Sequence, residues 1–80
     1  MDASRITALV RELFLKGHQE FLVPPGADLL QLGVCDSFGF VQLAAELERQ
    51  VPGLRVHDAD VTPENLGSVE RIVAYLQRRP

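Results

Sequence analysis

The sequence predicts an all-α fold, a small four-helix bundle with three longer helices and one short third helix. Apolar residues recur at three- and four-residue steps in three segments, which is the spacing of a helix with one buried face. Residues that can cap a helix stand where these segments begin. Proline–glycine stretches at 24–26 and 52–53 separate the segments. The 80 residues are expected to form one domain, 1–80, with a modest core.

The first helix is predicted to start at Ser4, which can cap it, with the charge of Asp2 nearby. Gly17 is the expected stop. The apolar residues of this segment form one stripe that should face the core: Ile6, Leu9, Val10, Leu13 and Phe14.

A long connection, residues 18–35, follows the first helix, and Pro24-Pro25-Gly26 excludes a continuous helix or strand in it. Loops of this length in a small domain are usually packed down or functional. The leucines of this loop are therefore expected to lie over the helices, whereas His18 should face solvent. The apolar residues of the loop are Phe21, Leu22, Leu29, Leu30 and Leu32.

The second helix is predicted from about Ser37 to Gln50, and Pro52-Gly53 ends it. This helix is apolar on two sides, so it is either buried on both sides or offers one of them to a partner. The core side is assigned to Phe40, Leu43 and Leu47. The exposed patch is assigned to Phe38, Val41 and Ala45.

The segment after the second helix alternates apolar and polar residues, so Leu54 and Val56 should point inward from an extended crossing. Asp58 and Asp60 could suggest a metal loop. No calcium-loop ligand series follows them, and a solvated acidic patch is the better interpretation.

Thr62 before Pro63 predicts the start of a short helix that ends near Gly67. Ser68 should cap the last helix, whose inward residues are Val69, Ile72, Val73 and Leu76. Tyr75 is expected at the edge of this helix. Arg78 and Arg79 near its end should complement the helix dipole.

Composition and charge exclude several function classes. The net charge is −3, and residues 36–66 hold six acids against two arginines, which argues against nucleic acid and for basic protein partners. No apolar run approaches membrane-spanning length, and the N-terminus lacks the pattern of a signal peptide. The single Cys35 forms no intrachain disulfide and belongs to no zinc cluster. A cytoplasmic, monomeric protein is expected.

The most informative stretch is Leu32-Gly33-Val34-Cys35-Asp36-Ser37-Phe38, where a glycine-containing loop becomes a helix. A Ser or Asp at this place can cap the helix by accepting a backbone N–H bond. The same N–H groups and the positive end of the dipole also favour a phosphate. Position alone therefore leaves two interpretations of Ser37 open, a helix cap and a modification site.

The pattern Leu-Gly-x-x-Asp-Ser-aromatic, followed by Val41, Leu43 and Leu47, resembles the modification site of the acyl carrier and peptidyl (thiolation) carrier proteins. The long loop before it and the short third helix resemble that family too, so the resemblance covers nearly the whole chain. It implies an acyl-carrier-type bundle in which Ser37 is esterified to 4'-phosphopantetheine and Asp36 supports the attachment. It also implies that Phe38, Val41 and Ala45 contact partner proteins.

The resemblance implies a non-catalytic carrier that holds an acyl or aminoacyl cargo as a thioester. Its partners would be a phosphopantetheinyl transferase, an adenylating or acyltransferase loading enzyme, and a downstream condensing or modifying enzyme. Fatty-acid-type carriers usually have acids where this chain has Gly39 and Gln42, so a specialised polyketide or nonribosomal-peptide-like pathway is favoured. An inward Phe40 would fill interior space and favours a small or polar cargo. The opening Met favours a free-standing carrier.

Three alternatives stay open. The chain could be a helical interaction domain in which Ser37 is only a cap, or a carrier of fatty-acid synthesis. It could also be a small hydrolase or transferase with Ser37 or Cys35 as nucleophile. That last function needs a base, for which only His18 and His57 are available, and neither has a local motif.

Overall fold

Within residues 1–78, four α-helices carry the fold: α1 (Ala3–Phe14), α2 (Ser37–Gln50), α3 (Pro63–Leu66) and α4 (Val69–Arg78). This computed structural model describes residues 1–78, and among these it contains no strand and one 3₁₀ turn at Asp58–Asp60. The all-α class, with three longer helices and a short third one, is confirmed. Arg78 lies in the last turn of α4, whereas the predicted role of Arg79 lies outside the described residues.

Each helix begins at a capping residue, and one of these caps differs from the prediction. Asp2 caps α1 by accepting a bond from the backbone N–H of Arg5 at 2.9 Å, so the assignment of this cap to Ser4 is wrong. Both residues can cap, but a start at Asp2 adds the bond from the N–H of Ile6 to the Asp2 carbonyl. The caps predicted for the two C-terminal helices, Thr62 and Ser68, are confirmed.

One apolar core joins the helices and part of the long loop. The α1 stripe faces it, with Ile6, Leu9 and Val10 buried and its last two residues partly buried. The crossing segment contributes Leu54, which is buried, and Val56, which is partly buried, as predicted. The largest fully buried side chains are Phe40, Ile6, Leu29, Leu43, Leu47, Leu66, Ile72, Val10 and Val69.

The loop of residues 15–36 packs on the helices only in part. Leu29 is fully buried, and its N–H donates to the Gly67 carbonyl at 2.8 Å. Leu22 is 78% exposed and Leu30 is also exposed, so the expectation that the leucines of the loop cover the helices is wrong for these two. Backbone bonds hold the loop at Leu29, and the side chain of the adjacent Leu30 is exposed.

Arg11 fastens the first part of this loop to α1. Its guanidinium donates to the carbonyl oxygens of Phe21 at 2.6 Å and of Gln19 at 2.8 Å. These charge-assisted bonds hold the part of the loop that precedes Pro24-Pro25.

The environments of Tyr75 and Asp60 differ from those that the sequence predicted. Tyr75 is buried rather than at the edge, and its hydroxyl donates to Asp60 Oδ2 at 2.9 Å. Asp60 is therefore not simply a solvated acid, because it ties the 3₁₀ turn to α4. Asp58 is exposed, as predicted. None of the helices in residues 1–78 has the length and apolar character needed to cross a membrane.

Candidate functional site at the start of α2

The start of α2 is capped by Asp36 and not by Ser37. The Asp36 backbone is extended, and its Oδ1 accepts a bond from the N–H of Gly39 at 2.9 Å. Its carbonyl accepts the N–H of Phe40 at 3.3 Å. Asp36 thus satisfies the N–H group that a capping serine would otherwise bind, and the suggestion that Ser37 acts as the cap is wrong.

Ser37 is the first helical residue and is exposed. Within residues 1–78 its hydroxyl has no hydrogen-bond partner, and the N–H groups of Ser37 and Phe38 also bond to none of these residues. Unpaired N–H groups at a helix start, together with the positive end of the dipole, favour a negatively charged group. The hydroxyl therefore lies where an attached phosphate would be stabilised.

Gly33 brings the chain to this helix start. Its φ of +76° is in the left-handed region, which glycine adopts at little cost. Val34 then points inward and is buried, and its N–H donates to the Leu29 carbonyl at 3.0 Å. The glycine of the motif thus turns the loop so that Asp36 and Ser37 emerge at the surface.

Gly39 allows α1 to approach the first turn of α2 closely. A Cβ at this position would lie 2.7 Å from the Cβ of Cys35 and 3.2 Å from the ring of Phe14. Both distances are shorter than an ordinary van der Waals contact. The Cys35 Cβ cannot move aside by itself, because it is bonded directly to the backbone. A side chain at this position would therefore not fit without movement of α1 or the loop.

Cys35 lies two residues before Ser37 and is partly buried against the core, as predicted. Burial, and then the negative charges of Asp36 and Asp28, raise the pKa of its thiol from 9.0 to about 11. Because the thiolate is the reactive form, this cysteine is a weak nucleophile near neutral pH.

The two sides of α2 divide as predicted. Phe40 is 1% exposed, and Leu43 and Leu47 are fully buried. On the other side Phe38 is 70% exposed, and the remaining two residues of the patch, Val41 and Ala45, are exposed as well. The exposure of this patch is confirmed, whereas its contact with partner proteins stays a prediction.

A groove of about 390 Å³ lies along α2, and its wall includes Ser37 and two residues of the patch, Val41 and Ala45. Glu48 helps to form it, because its Oε2 accepts a bond from the N–H of Val56 at 2.7 Å and draws the crossing segment towards α2. The sequence did not predict this groove, since it arises from the packing of the crossing segment against α2. The principal wall residues are Ser37, Val41, Ala45, Glu48, Val56 and Asp58.

The two histidines do not complete a catalytic arrangement. His18 and His57 are exposed, and within residues 1–78 neither side chain bonds to Ser37 or Cys35. Neither of them lines the groove beside Ser37. A nucleophilic enzyme needs a base within hydrogen-bond reach of its nucleophile, so no observation in this region favours that alternative.

Comparisons with known proteins identify no family for this chain: no family model, no curated protein and no solved structure matches it. Its function must therefore be inferred from its own residues and geometry.

Proposed function

We propose that this chain is a carrier protein of the acyl-carrier type, which holds an acyl or aminoacyl cargo on a 4'-phosphopantetheine arm attached to Ser37. The observation that carries this proposal is the exposed hydroxyl of Ser37 at the start of α2, within the Leu-Gly-x-x-Asp-Ser motif, and this hydroxyl bonds to none of residues 1–78. Because Asp36 caps the helix, the fold does not use this hydroxyl.

The residues at the helix start fit the arm. A phosphodiester at Ser37 Oγ would face solvent, close to the unpaired N–H groups of Ser37 and Phe38. In the attachment, Oγ forms a bond to the pantetheine-bearing phosphorus of coenzyme A and the pyrophosphate P–O bond breaks. Adenosine 3',5'-bisphosphate leaves, and the serine proton passes to a base on the transferase. When bound, the arm supplies a thiol that carries cargo as a thioester.

The protein itself supplies position and recognition. A tether attached at Ser37 keeps the cargo at a high effective concentration beside each partner active site. The exposed patch Phe38–Val41–Ala45 lies next to Ser37 on the same helix. Residues 36–66, which include α2, hold six acids against two arginines, and basic partner surfaces would recognise this excess of negative charge. The partners proposed for it are the transferase, a loading enzyme and a downstream condensing or modifying enzyme.

Phe40 indicates the kind of cargo. Its ring is 1% exposed and occupies the bundle interior below the start of α2. Filled interior space of this kind does not admit a long acyl chain without repacking. We therefore favour a short acyl or aminoacyl cargo of a specialised biosynthetic pathway over the long chains of fatty-acid synthesis.

Incubation with coenzyme A, Mg²⁺ and a promiscuous phosphopantetheinyl transferase tests the proposal. Intact-mass measurement should show the gain of one arm, and peptide mapping should place it on Ser37. The matched control is Ser4→Ala, which removes another exposed serine at a helix start and should leave the mass gain unchanged. An unmodified wild-type chain that is still folded would contradict the proposal and favour the interaction domain, since Phe38 and Val41 are exposed in either case.

A further inference from the structure

The groove beside α2 has two chemically different ends. Ser37 and Val41 lie at one end, in the first turns of the helix. Glu48, Val56 and Asp58 mark the other end, because these three residues also line a polar depression that Ser37 does not reach. The groove therefore extends from the proposed attachment point to a pair of carboxylates.

The distance along α2 from Ser37 to Glu48 matches the length of the arm. Ser37 and Glu48 are eleven residues apart in one helix, which corresponds to about 16 Å along its axis. The chain of bonds from Ser37 Oγ to the end of the arm is about as long as five extended residues, or about 17 Å. An arm laid along α2 would thus bring its cargo to the level of Glu48.

The wall between the two ends suits the arm. Val41, Ala45 and Val56 provide apolar surface, and the small side chain of Ala45 keeps the groove open. The geminal methyl groups of the arm can contact these side chains, and its amides can stay in contact with solvent at the open side.

The carboxylates at the far end are available to a cargo. Only Oε2 of Glu48 is used, in the bond to Val56, and the Asp58 carboxylate has no hydrogen bond or ion pair within residues 1–78. Among the described residues, no lysine or arginine lines the groove. Arg55 and His57 line the adjoining depression, and neither forms an ion pair with these carboxylates.

We propose, on the basis of the carrier function above, that the loaded arm folds back along this groove and that Glu48 and Asp58 bind the ammonium group of an aminoacyl cargo. The same two charges disfavour a cargo that ends in a carboxylate, such as a dicarboxylic acyl unit. The groove thus selects for aminoacyl cargo over neutral or acidic acyl cargo while the carrier is between partners.

Nuclear magnetic resonance of the loaded protein tests this inference. Ser37 is loaded with an arm that ends in either an alanyl or a propionyl group, each joined by an amide so that it cannot hydrolyse. The two cargoes differ only in the amine. Cross-relaxation between the arm's geminal methyls and the methyls of Val41 and Val56 reports the folded-back arm.

The alanyl form should show a docked-to-free ratio about two- to fivefold higher than the propionyl form, the range expected for a solvent-exposed ion pair. The variant Glu48→Gln/Asp58→Asn should abolish this difference, since Gln keeps an acceptor for Val56 and only the charges are lost. The matched control, Glu20→Gln/Glu64→Gln, removes two exposed acids elsewhere and should preserve it.

Equal docking of the two cargoes, or a difference that survives in Glu48→Gln/Asp58→Asn, would overturn the inference while the carrier function stands. Failure of Ser37 to accept the arm at all would overturn the carrier function and this inference with it. The intact mass, measured before the spectra, separates these two results.

Discussion

The beginnings of α2 and α4 use the same residue type in opposite ways. At α4, Ser68 is 3% exposed, and its Oγ accepts the N–H of Arg71 at 3.1 Å. At α2, Asp36 makes the equivalent bond to Gly39, and Ser37 follows it as an exposed residue without a hydrogen-bond partner in the described chain. The hydroxyl of Ser68 thus caps its helix, whereas the hydroxyl of Ser37 does not.

This difference shows why a serine before a helical segment is ambiguous in a sequence. Both positions satisfy the rule that serine favours helix starts, and only the neighbouring residue separates them. An acid directly before the serine takes the cap and shifts the serine into the first turn. The cap of α2 therefore does not involve the Ser37 hydroxyl.

The largest expected effect distinguishes the inward and outward sides of the first turn of α2. Phe40→Ala should lower the free energy of unfolding by about 3 to 5 kcal/mol, because it leaves a cavity in the core. Phe38→Ala should change it by less than about 0.5 kcal/mol, since Phe38 is exposed. Urea denaturation followed by circular dichroism measures both, and Phe40→Leu provides a milder variant if Phe40→Ala does not fold. Equal losses for Phe38 and Phe40 would contradict the assigned faces.

The next effect concerns the packing that positions the start of α2. Gly39→Ala should lower the free energy of unfolding by about 2 kcal/mol, because overpacking against Cys35 and Phe14 outweighs the better helix propensity of alanine. Gln42→Ala, at an exposed position of the same helix, is the control and should be neutral or slightly stabilising. A Gly39→Ala protein that is more stable than the wild type would show that α1 and the loop yield freely here.

The two serines should then differ in their contribution to stability. Ser68→Ala should cost about 1.5 kcal/mol, since it removes a buried cap and leaves the Arg71 N–H without its partner. Ser37→Ala should change the free energy of unfolding by less than about 0.5 kcal/mol. Thermal unfolding of the two variants under the same conditions measures this difference in stability. A clear loss for Ser37→Ala would mean that its hydroxyl has a structural role.

The smallest effect separates the cap from the charge of Asp36. Asp36→Ala should lower the free energy of unfolding by about 1 kcal/mol. Asp36→Asn keeps an acceptor for the Gly39 N–H and should lower it by only a few tenths of about 1 kcal/mol. If Asp36 also supports the attachment of the arm, Asp36→Asn should be modified more slowly than the wild type although its stability is retained. Equal modification rates would restrict Asp36 to its role as a cap.

Local sequence features predicted the helices well. The bounds of α2 follow from Asp36-Ser37 and from Pro52-Gly53, and both ends lie where these residues place them. The cap of α1 was assigned wrongly because Asp2 and Ser4 are both good caps two residues apart. The 3₁₀ turn at Asp58–Asp60 was not predicted, since three residues are too short to show a period.

The parts of the site that depend on tertiary packing could not be predicted. The exposure of Phe38 and the burial of Phe40 follow from helical periodicity, and both are confirmed. The groove depends on the bond from Val56 to Glu48, which joins residues eight apart in different segments. The outward positions of Leu22 and Leu30 depend on an irregular loop, for which no period exists.

The central claim is that the hydroxyl of Ser37, and not that of Ser68, accepts the arm. The most direct measurement is the rate of labelling by a fluorescent coenzyme A analogue and a phosphopantetheinyl transferase, for folded Ser37→Ala and Ser68→Ala proteins beside the wild type. The account predicts no labelling of Ser37→Ala and labelling of Ser68→Ala at the wild-type rate. Labelling of Ser37→Ala, or an unlabelled wild type, would contradict it.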